Sequence, residues 1–459
     1  MELKLKDYQE EGISQMIEWE RCINMDDMGL GKSVQSIISI DRVKGYPLLI
    51  ICPAGLKRNW EREYNMWTGE TAMILNDSIK NTFHLLYNAG ICKAFIVNYE
   101  SLSKFFVLSK PKRKDIRLAD IEFNSYKDFF KSIIIDESQK VINPETMQSK
   151  LTAGISIGKR WIFELSGTPV LNKPTDLAAQ LCIISKINEF GGYSNFMEKY
   201  KNPSKIDLEL LSEKLKKVCA IRREKKDVLS LPPKTRQIVY VDLDNREEYD
   251  FALKNLAGYL KEYKGKTDKE VAMSMRGEVM VKIATLRELS AKGKSTAVFE
   301  AIQTMIEKNE KVVLFGNSRE VLLPFKKIKG SVSITGGENG DQKQNSVDKF
   351  QNDKNTMLAV CSLKASSIGI TLTAGRINMY IEQPWHPAIQ NQSEDRTYRL
   401  GQLQEVHCLY YLGINTIDQY IYDIIEKKRE MSNAITGSIE DIEWEVIQEV
   451  MDLIIQNNE

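Results

Sequence analysis

The chain has 459 residues, of which 42% are hydrophobic and 28% are charged, and its formal net charge is +1 at pH 7. This length exceeds one ordinary hydrophobic core, so we expect roughly two or three domains. The longest apolar runs are far shorter than the ~20 residues of a membrane span, and MELKLKDYQE does not resemble a signal peptide. We therefore expect an intracellular protein without a membrane partner, in the cytoplasm or nucleoid, or in a host cytoplasm if the chain is phage-encoded.

The spacing of the cysteines and the net charge limit the kinds of binding site that the chain is expected to contain. Seven cysteines are scattered along the chain without a Cys-x-x-Cys pair, so we expect neither a zinc site nor a disulfide framework. Because the net charge is near zero, any nucleic-acid surface must come from local clusters of Lys and Arg. Two such clusters are SKPKRKDIR (109–117) and KLKKVCAIRREKKD (214–227). Each fits either a solvated face or an anion-binding surface.

Short apolar runs alternate with segments of helical spacing in the first half of the chain. The runs are PLLIIC (47–52), AFIVN (94–98), SIIID (132–136) and RWIFEL (160–165), and one helix is predicted to begin at Ser33. Such runs are typical of strands buried on both faces of a parallel sheet. The alternation predicts an α/β lobe.

The same pattern returns in the second half, with KVVLF (311–315), MLAVC (357–361), INMYIE (377–382) and VHCLYYL (406–412). Between the two sets, SLPPKTRQ (230–237) contains a double proline that favours an extended connector. The predicted organisation is lobe one (1–228), a linker (229–240), lobe two with a helical lead-in (241–437) and a C-terminal amphipathic helix (438–459). For that helix, packing on lobe two is favoured over docking a partner.

The segment GLGKS (29–33) has the features of a phosphate-binding loop. Gly29 and Gly31 let backbone N–H groups approach phosphate, and the helix that follows favours anions at its N-terminus. Lys32 is expected to meet the β and γ phosphates, and Ser33 to bind magnesium. Asp26 stands where the strict pattern has glycine. The predicted nucleotide-binding residues of this loop are Asp27, Met28, Gly29, Leu30, Gly31, Lys32 and Ser33.

The apolar run 132–135 ends in two adjacent carboxylates, Asp136 and Glu137. In parallel sheets, ligands bind beyond the carboxyl ends of the strands. Asp136 is therefore expected to hold magnesium, partly through water, and Glu137 to polarise the attacking water.

The segment QNQSEDRTYRLGQ (390–402) carries Arg396 and Arg399, which share one face if the segment is helical. A solvated arginine face is the commoner explanation for such a pair alone. Together with the phosphate loop and the paired carboxylates, the two arginines indicate neutralisation of charge at a γ phosphate.

In order and spacing, these motifs resemble those of superfamily-two helicases, and more narrowly those of Swi/Snf-type duplex-DNA translocases. In the first half, LKDYQEEGI (5–13) is similar to the Q motif, DDMGLGKS (26–33) to motif I, ICPAGLKRNW (51–60) and IVNYESL (96–102) to motifs Ia and Ib, and ELSGTP (164–169) to motif III. Further along, IRREKKDVLSLPPKTRQIV (221–239) resembles the signature after lobe one, and FGNSRE (315–320), SLKASSIGITLTAG (362–375) and QPWHPAIQNQSEDRTYRLGQ (383–402) resemble motifs IV, V and VI. The tripeptide DES (136–138) and the run DVLSLPPK are most similar to the HARP-like annealing helicases.

The resemblance implies two RecA-like lobes, each a mostly parallel sheet flanked by helices, with helical insertions and with ATP and magnesium in the cleft between them. It makes Asp normal at position 26. Gln9 would read adenine with Tyr8 packed nearby, while motifs Ia and Ib would grip one DNA strand. The residues implied to face ATP from lobe two are Gln392, Arg396 and Arg399. Those implied to couple the nucleotide to the DNA track are Ser166, Gly167, Thr168, Gly369 and Thr371.

Three departures from the family pattern are Gln139 in place of His, Ser366 and Ser367 in place of a common Gly-Gly, and His386 in place of Asn. None of them removes a catalytic group. The function implied is ATP-driven, sequence-independent translocation on duplex or branched DNA, for fork remodelling, branch migration or annealing in replication, recombination or repair. A replication or repair protein is a further expected partner.

Two alternatives remain open on the sequence. One is a strand-separating helicase that acts on single-stranded DNA or RNA. The other is a nucleotide-gated DNA-binding module that recruits a partner.

Overall fold

A computed structural model describes residues 4–113, 115–167, 174–264, 269–363, 369–430 and 439–456, and gives only the backbone at 205, 261–264, 269–276, 430 and 439–444. The chain divides into two compact units between Ser230 and Leu231. Each unit is described by itself below. Among the helices in these ranges, none combines the length and the apolar character that crossing a membrane would need.

Unit 1 is built on a seven-stranded sheet in which every neighbouring pair is parallel. The strands of unit 1 are β1 (Arg21–Asn24), β2 (Leu48–Cys52), β3 (Ala72–Ile74), β4 (Ala94–Asn98), β5 (Val107–Ser109), β6 (Glu122–Phe123), β7 (Ser132–Asp136), β8 (Trp161–Leu165) and β9 (Ala220–Ile221). The sheet order is β3-β4-β2-β7-β8-β1-β9, while β5 and β6 form a separate antiparallel pair. The four strands predicted in this half are confirmed to within one residue.

Helices cover both faces of this sheet, as parallel strands require. They are α1 (Asp7–Trp19), α2 (Lys32–Arg42), α3 (Lys57–Thr68), α4 (Phe83–Asn88), α5 (Leu102–Phe106), α6 (Tyr126–Phe129), α7 (Met147–Ser156), α8 (Leu177–Ile183), α9 (Tyr193–Lys199), α10 (Lys205–Val218) and α11 (Lys225–Val228). The central strands β2 and β4 are buried at every residue. Polar and charged groups therefore gather at the ends of the strands.

Unit 2 contains a six-stranded parallel sheet in the order β10-β15-β14-β11-β13-β12. Its strands are β10 (Lys234–Val241), β11 (Val312–Gly316), β12 (Ser331–Ile334), β13 (Leu358–Ser362), β14 (Ile377–Tyr380) and β15 (Val406–Gly413). Its helices are α12 (Arg246–Lys264), α13 (Lys269–Gly293), α14 (Ser295–Glu307), α15 (Arg319–Leu322), α16 (Gly340–Asn352), α17 (Pro387–Glu394), α18 (Ile417–Glu430) and α19 (Ile439–Gln456). The predicted fold class, two parallel sheets flanked by helices, is confirmed.

The predicted linker (229–240) is wrong from Lys234 onward, because β10 begins there and pairs along its whole length with β15. The double proline lies just before this strand, and the Pro233 carbonyl accepts a hydrogen bond from the Val406 amide (3.0 Å). Proline is tolerated beside an edge strand because no ladder donor is needed there. The extended conformation was thus predicted correctly, but most of the segment belongs to the second sheet.

The C-terminal helix α19 packs on unit 2, as the sequence favoured. Its buried residues are Val446, Ile447, Val450, Met451 and Ile454. They share one apolar cluster with residues of α12, α13 and α18. This helical layer forms a core distinct from the two clusters on the faces of the sheet.

A buried lysine joins the carboxyl ends of β14 and β15. Lys294 Nζ donates to the carbonyl oxygens of Ile381 (2.8 Å) and Tyr411 (2.9 Å) and forms an ion pair with Asp418. Asp418 also accepts from Ser290 Oγ (2.7 Å). Because Lys294 has no exposed surface, its charge is balanced entirely within the protein.

Replacing Lys294 with Ala should therefore leave the Asp418 carboxylate buried without its cation. We expect the full chain to lose about 3–5 kcal/mol of unfolding free energy, the usual cost of breaking a buried pair. Urea unfolding and the hydrogen-exchange protection of β14 and β15 would measure the loss. The exposed Lys308→Ala should change stability by less than about 0.5 kcal/mol. Equal midpoints for the two variants would contradict the proposed balance of charge.

Candidate nucleotide-binding site

The loop between β1 and α2 requires glycine at two positions. Gly29 has a φ of +85° and Gly31, the N-cap of α2, has a φ of +79°. Glycine adopts this left-handed region without strain, and a Cβ at Gly31 would also collide with the Gln9 amide. Because the two glycines have no side chains, the backbone N–H groups before the N-terminus of α2 are accessible to a ligand. Such an arrangement is suited to binding phosphate.

Lys32 lies along this loop. Its Nζ donates to the carbonyl oxygens of Asp26 (2.6 Å) and Asp27 (3.2 Å). Burial lowers the pKa of Lys32, and the carboxylates of Glu137, Asp26 and Asp136 oppose that change. The ammonium group thus lies between the phosphate loop and the carboxylates at the end of β7.

The carboxyl end of β7 presents Asp136. Its Oδ2 accepts from Trp60 Nε1 (2.7 Å) and its Oδ1 from the Glu137 amide (3.0 Å). Burial and the Glu137 carboxylate raise the pKa of Asp136. A bound cation would favour the ionised form of Asp136, so this carboxylate would suit a magnesium ion, and the Ser33 hydroxyl stays a predicted second ligand. Within the part of the chain that the structure describes, no cluster of three or more His, Cys, Asp or Glu offers an alternative.

Gln139 links Glu137 to the end of β8. Glu137 has a φ of +52°, which residues with a Cβ rarely adopt. Gln139 Nε2 donates to Glu137 Oε2 (2.5 Å), and Gln139 Oε1 accepts from Ser166 Oγ (3.1 Å). An amide makes both bonds at once because it carries a donor and an acceptor. Gln139, which stands where the family pattern has His, therefore connects Glu137 with Ser166 of the segment ELSGTP (164–169).

The other predicted coupling residues of unit 1 are only partly described. Gly167 lies against the phosphate loop, since a Cβ there would meet the Met28 side chain and approach Lys32. Thr168 lies outside the described residues. The coupling role of Ser166 and Gly167 stays a prediction.

Helix α1 brings Tyr8 and Gln9 to the phosphate loop. The Tyr8 hydroxyl (3.2 Å) and Gln9 Nε2 (3.1 Å) both donate to the Leu30 carbonyl. Gln9 Oε1 accepts from the Lys6 amide (3.0 Å). The glutamine is thus fixed against the loop, and its contact with adenine stays a prediction.

A buried ion pair that the sequence did not predict holds the same loop. Asp26 has no exposed surface, and its Oδ2 accepts from Arg223 (3.2 Å) and from Gln35 Nε2 (3.1 Å). Burial raises the pKa of Asp26, and the Arg223 charge opposes that rise. The Lys225 amide also donates to the Asp27 carboxylate (2.9 Å). The only signals in the sequence were Asp26 in place of glycine and the arginine pair of the 221–239 signature.

In unit 2, helix α17 ends at Glu394. Arg396 and Arg399 therefore lie in the turns that follow, so the condition under which they were expected to share one face, a helical segment, is not met. A guanidinium nitrogen of each still donates to the Ile370 carbonyl (3.4 Å in both cases). Arg396 is buried, whereas Arg399 is half-buried.

The remaining predicted residues of unit 2 surround this pair. Gln392 is buried in α17, and its carbonyl accepts from Arg396 Nε (3.1 Å). Gly369 and Thr371 flank Ile370. Unit 2 thus brings all five predicted residues together, and their contacts with ATP and DNA stay predictions. Ser366 and Ser367 lie outside the described residues.

The substitution at His386 preserves a helix cap. His386 Nδ1 accepts from the Ala388 amide (2.9 Å) at the start of α17, as an asparagine oxygen would at this position. Burial lowers the pKa of His386 to about 4, so the imidazole stays neutral near pH 7 and keeps its acceptor.

Glu394 anchors the end of α17 to β10. Its carboxylate accepts from Lys234 Nζ (2.6 Å), from Arg236 through two bonds (2.7 and 2.8 Å) and from the Tyr410 hydroxyl (2.6 Å). Although burial opposes ionisation, Lys234 and Arg236 lower the pKa of Glu394 to about 2. Such a bidentate pair is geometrically specific, so it fixes the segment that carries the two arginines.

Comparison with known proteins places the chain in a family. The family model described as "SNF2-related domain" matches residues 8–294, and the one described as "Helicase conserved C-terminal domain" matches residues 293–401. The first match alone covers more than half of the chain. The chain belongs to the SNF2-related family. The resemblance to Swi/Snf-type superfamily-two proteins is therefore confirmed.

Individual relatives are distant and longer. The Xenopus laevis "SWI/SNF-related matrix-associated actin-dependent regulator of chromatin subfamily A-like protein 1" is 28% identical over 447 residues, covering 92% of this chain and 43% of the relative. Human "DNA annealing helicase and endonuclease ZRANB3" is 26% identical over 468 residues, covering 96% and 41%. The chain thus spans less than half the length of these two relatives. Among solved structures, the "Sulfolobus solfataricus SWI2/SNF2 ATPase core in complex with dsDNA" is 22% identical with a TM-score of 0.43, covering 98% of this chain and 97% of the other.

The Glu394 network predicts a specific acid sensitivity. The folded-state pKa of Glu394 lies below its usual value, so its contribution to stability is complete above about pH 5 and is lost as the pH falls toward 2. Between about pH 5 and pH 2, we expect protonation of Glu394 to lower the free energy of unfolding of the wild-type chain by roughly 3 kcal/mol. Urea unfolding of wild type and Glu394→Gln between pH 7 and 3 should show the variant weakened at neutral pH, with the difference shrinking at acid pH. The exposed Glu307→Gln is the control, and a difference independent of pH would contradict the assignment.

The Gln139 link predicts a selective loss of turnover. Gln139→Ala frees the Glu137 side chain, so we expect kcat for ATP hydrolysis to fall about ten- to a hundredfold while KM for ATP stays close to wild type. Steady-state ATPase assays would measure both constants. The neighbouring exposed Lys140→Ala should leave both unchanged. A variant of Gln139 with full kcat would show that the link does not orient Glu137.

Proposed function

We propose that the chain is an ATP-dependent DNA translocase, which hydrolyses ATP to move on duplex or branched DNA. The observation that carries this proposal is the meeting of Lys32, Asp136 and Glu137 at the phosphate loop, in a chain of the SNF2-related family. At this end of the sheet, two carboxylates and one ammonium group lie beside a phosphate loop and are partly shielded from water. This combination suits a nucleotide bound with magnesium.

The residues of unit 1 have distinct roles in this proposal. Ser33 and Asp136 would hold magnesium, which supplies charge neutralisation at the phosphates when bound. Lys32 would exchange its bonds to the loop carbonyls for bonds to phosphate oxygens. Glu137, oriented by Gln139, would accept a hydrogen bond from the attacking water and polarise it.

The arginines of unit 2 would complete the reaction centre. Arg396 and Arg399 are held close together at the Ile370 carbonyl, next to Gly369 and Thr371. We infer that they neutralise charge on the transferred phosphoryl group, an effect of about 10³–10⁵ in rate where arginine fingers act. Movement along DNA would follow from cycles of this engagement.

The DNA part of the proposal rests on the family and on the sequence motifs. Phosphate contacts along motifs Ia and Ib would give binding that is independent of base sequence and sensitive to salt. Fork remodelling, branch migration or annealing in replication, recombination or repair is the cellular work we propose. The name of the human relative, an annealing helicase, supports this role. An intracellular site of action and a replication or repair partner belong to the same proposal.

One ATPase experiment tests this function against its alternatives. Wild type should be stimulated more by duplex and forked DNA than by single-stranded DNA or RNA, and it should displace a triplex-forming strand without unwinding the duplex. Stimulation by RNA alone would replace the proposal with a strand-separating helicase on RNA. DNA binding that depends on ATP but lacks turnover would point to a recruitment module.

Three variants test the residue roles in the same assay. Lys32→Ala should lose DNA-stimulated ATPase by at least about a hundredfold. Glu137→Gln should bind ATP and stall, and Arg399→Ala should keep nucleotide binding while losing most hydrolysis. Lys308→Ala, on the surface of unit 2, is the matched control. Wild-type turnover in any of the three would remove that residue from its role.

A further inference from the structure

A basic hairpin, defined as residues 107–113 and 115–123, follows a predicted DNA-binding motif in unit 1. It begins where α5 ends, just after motif Ib (96–102), and its arms β5 and β6 pair antiparallel. Because β4 and β7 are parallel members of one sheet, their carboxyl ends lie at the same edge. The hairpin therefore leaves the sheet at the edge that also carries Asp136.

The base of the basic hairpin is held firmly. Ile116 and Ile121 are buried in the core of unit 1. Phe123 and Leu118 pack on α7 at Gly154, where even a Cβ would collide with Phe123. Helix α7 is the first α-helix after the Asp136–Glu137 segment, from which a 3₁₀ turn (Ser138–Val141) and a short loop separate it. The hairpin is thus fixed to the helix after the catalytic carboxylates, so little conformational entropy is lost when it binds a ligand.

The turn of the basic hairpin is also ordered by its own side chains. The Asp120 carboxylate accepts from the Arg117 amide (2.8 Å) and pairs with Arg113. Asn124 Nδ2 donates to the Phe105 carbonyl (2.8 Å) and closes the hairpin where it joins α5. These contacts order the backbone that carries the exposed residues of the described ranges 107–113 and 115–123.

The exposed surface of the hairpin has an excess of positive charge. Four basic residues of the hairpin are exposed, namely Lys110, Lys112, Arg113 and Arg117, against two exposed acidic residues, Asp115 and Glu122. Arg113 has Asp120 as a partner, whereas no carboxylate within the described ranges forms an ion pair with the other three. Unpaired, exposed cations on a rigid support keep their full charge for an outside partner.

A cavity of about 720 Å³ lies at the base of the basic hairpin, against α7, α8 and α9. Arg113, Arg117 and Lys150 line it, but so do Asp115 and Glu145. Lys150 already pairs with Glu145 (3.0 Å). The cavity itself is therefore close to neutral, and the cations of the hairpin that lie outside its lining are Lys110 and Lys112.

We propose that the basic hairpin binds the phosphate backbone of the DNA on which the chain moves, as a contact additional to the family motifs. The proposal rests on the proposed function and deepens it. The DNA backbone suits this surface because its regularly spaced phosphates can pair with several cations at once. Such contacts do not depend on the base sequence. Leu108 is the only large exposed apolar residue on the described part of the hairpin, so insertion into a lipid surface is not favoured.

The test is the salt dependence of DNA binding by the full chain. The logarithm of the DNA-binding constant falls linearly with the logarithm of the salt concentration, and each phosphate contact that is lost makes this slope less steep by about 0.9. The triple variant Lys110→Gln, Lys112→Gln, Arg117→Gln should therefore have a slope smaller by about 2 to 3 than wild type. Its half-maximal DNA concentration for ATPase stimulation should rise about tenfold or more near 0.1 M salt. Its basal ATPase, and its rate at saturating DNA, should equal those of wild type.

A matched control removes the same charge elsewhere. Lys308, Lys329 and Lys354 are exposed and precede β11, β12 and β13, at the amino ends of the strands of unit 2. Their triple Gln variant should keep the wild-type slope. The double variant Lys110→Glu, Lys112→Glu should weaken DNA binding further than neutralisation of the same two residues.

The outcomes separate the two proposals. If wild type is stimulated by DNA and the hairpin variant keeps its slope, the hairpin proposal fails while the proposed function stands. Equal losses in the hairpin and control variants would likewise overturn it, because the effect would then reflect net charge alone. If DNA neither binds nor stimulates wild type, the proposed function itself fails. Circular dichroism of each variant would check that the substitutions leave the fold intact.

Discussion

The buried ion pair between Asp26 and Arg223 is the interaction on which the phosphate loop of unit 1 depends. A carboxylate without exposed surface is costly unless it is paired and hydrogen-bonded, and Asp26 obtains both from Arg223 and Gln35. Asn24 in turn donates to Gln35 Oε1 (3.3 Å). The end of β1, the start of α2 and the segment after β9 are thereby held together. These contacts fix the conformation of the phosphate loop, whose two glycines have left-handed backbone angles and would otherwise be flexible.

Unit 2 uses the same kind of contact. Glu394 is a buried carboxylate at the end of α17, and its cations, Lys234 and Arg236, come from β10. In both units, the carboxylate belongs to a nucleotide-site motif and the cations belong to the signature 221–239. This signature spans the boundary between the units. Its first part thus supports the phosphate loop and its last part supports the two arginines, so a single stretch of sequence orders both halves of the proposed catalytic machinery.

The sequence predicted those strands whose burial produces a continuous run of apolar residues. Strands buried on both faces were located to within two residues because their apolar runs are continuous. The strands β1 and β12 were missed, since RCIN and SVSI are short and mix polar with apolar residues. The strand β10 was taken for a linker because an edge strand with one exposed face looks like polar connector.

The candidate site divides in the same way. Lys32, Ser33, Asp136 and Glu137 lie in contiguous motifs and could be singled out from the sequence, and their roles stay predictions. Their supporting partners could not, because the Asp26–Arg223 pair joins residues 197 positions apart. Periodicity and spacing carry no information about such a pair. The end of α17 before Arg396 was not predicted either, and there the Arg396 carbonyl accepts a tertiary hydrogen bond from the Leu372 amide (2.8 Å).

A hydrogen bond from α8 reaches the segment that follows β7, next to Gln139. Gln180 Nε2 donates to Ser138 Oγ (2.7 Å), and the carboxyl group of Glu164 lies buried beside both side chains. Burial raises the pKa of Glu164 well above its usual value, which favours the uncharged form of this group.

The uncharged form matters because burial and the Glu137 carboxylate already raise the pKa of Asp136. A further negative charge nearby would raise the pKa of Asp136 still more and favour its protonation, which would weaken its hold on the metal ion of the proposed site. An uncharged Glu164 lies beside Ser138 without adding that charge. The interior of unit 1 therefore favours an acidic edge whose charge would be balanced by Lys32 and, in the proposed function, by the cation of a bound magnesium nucleotide.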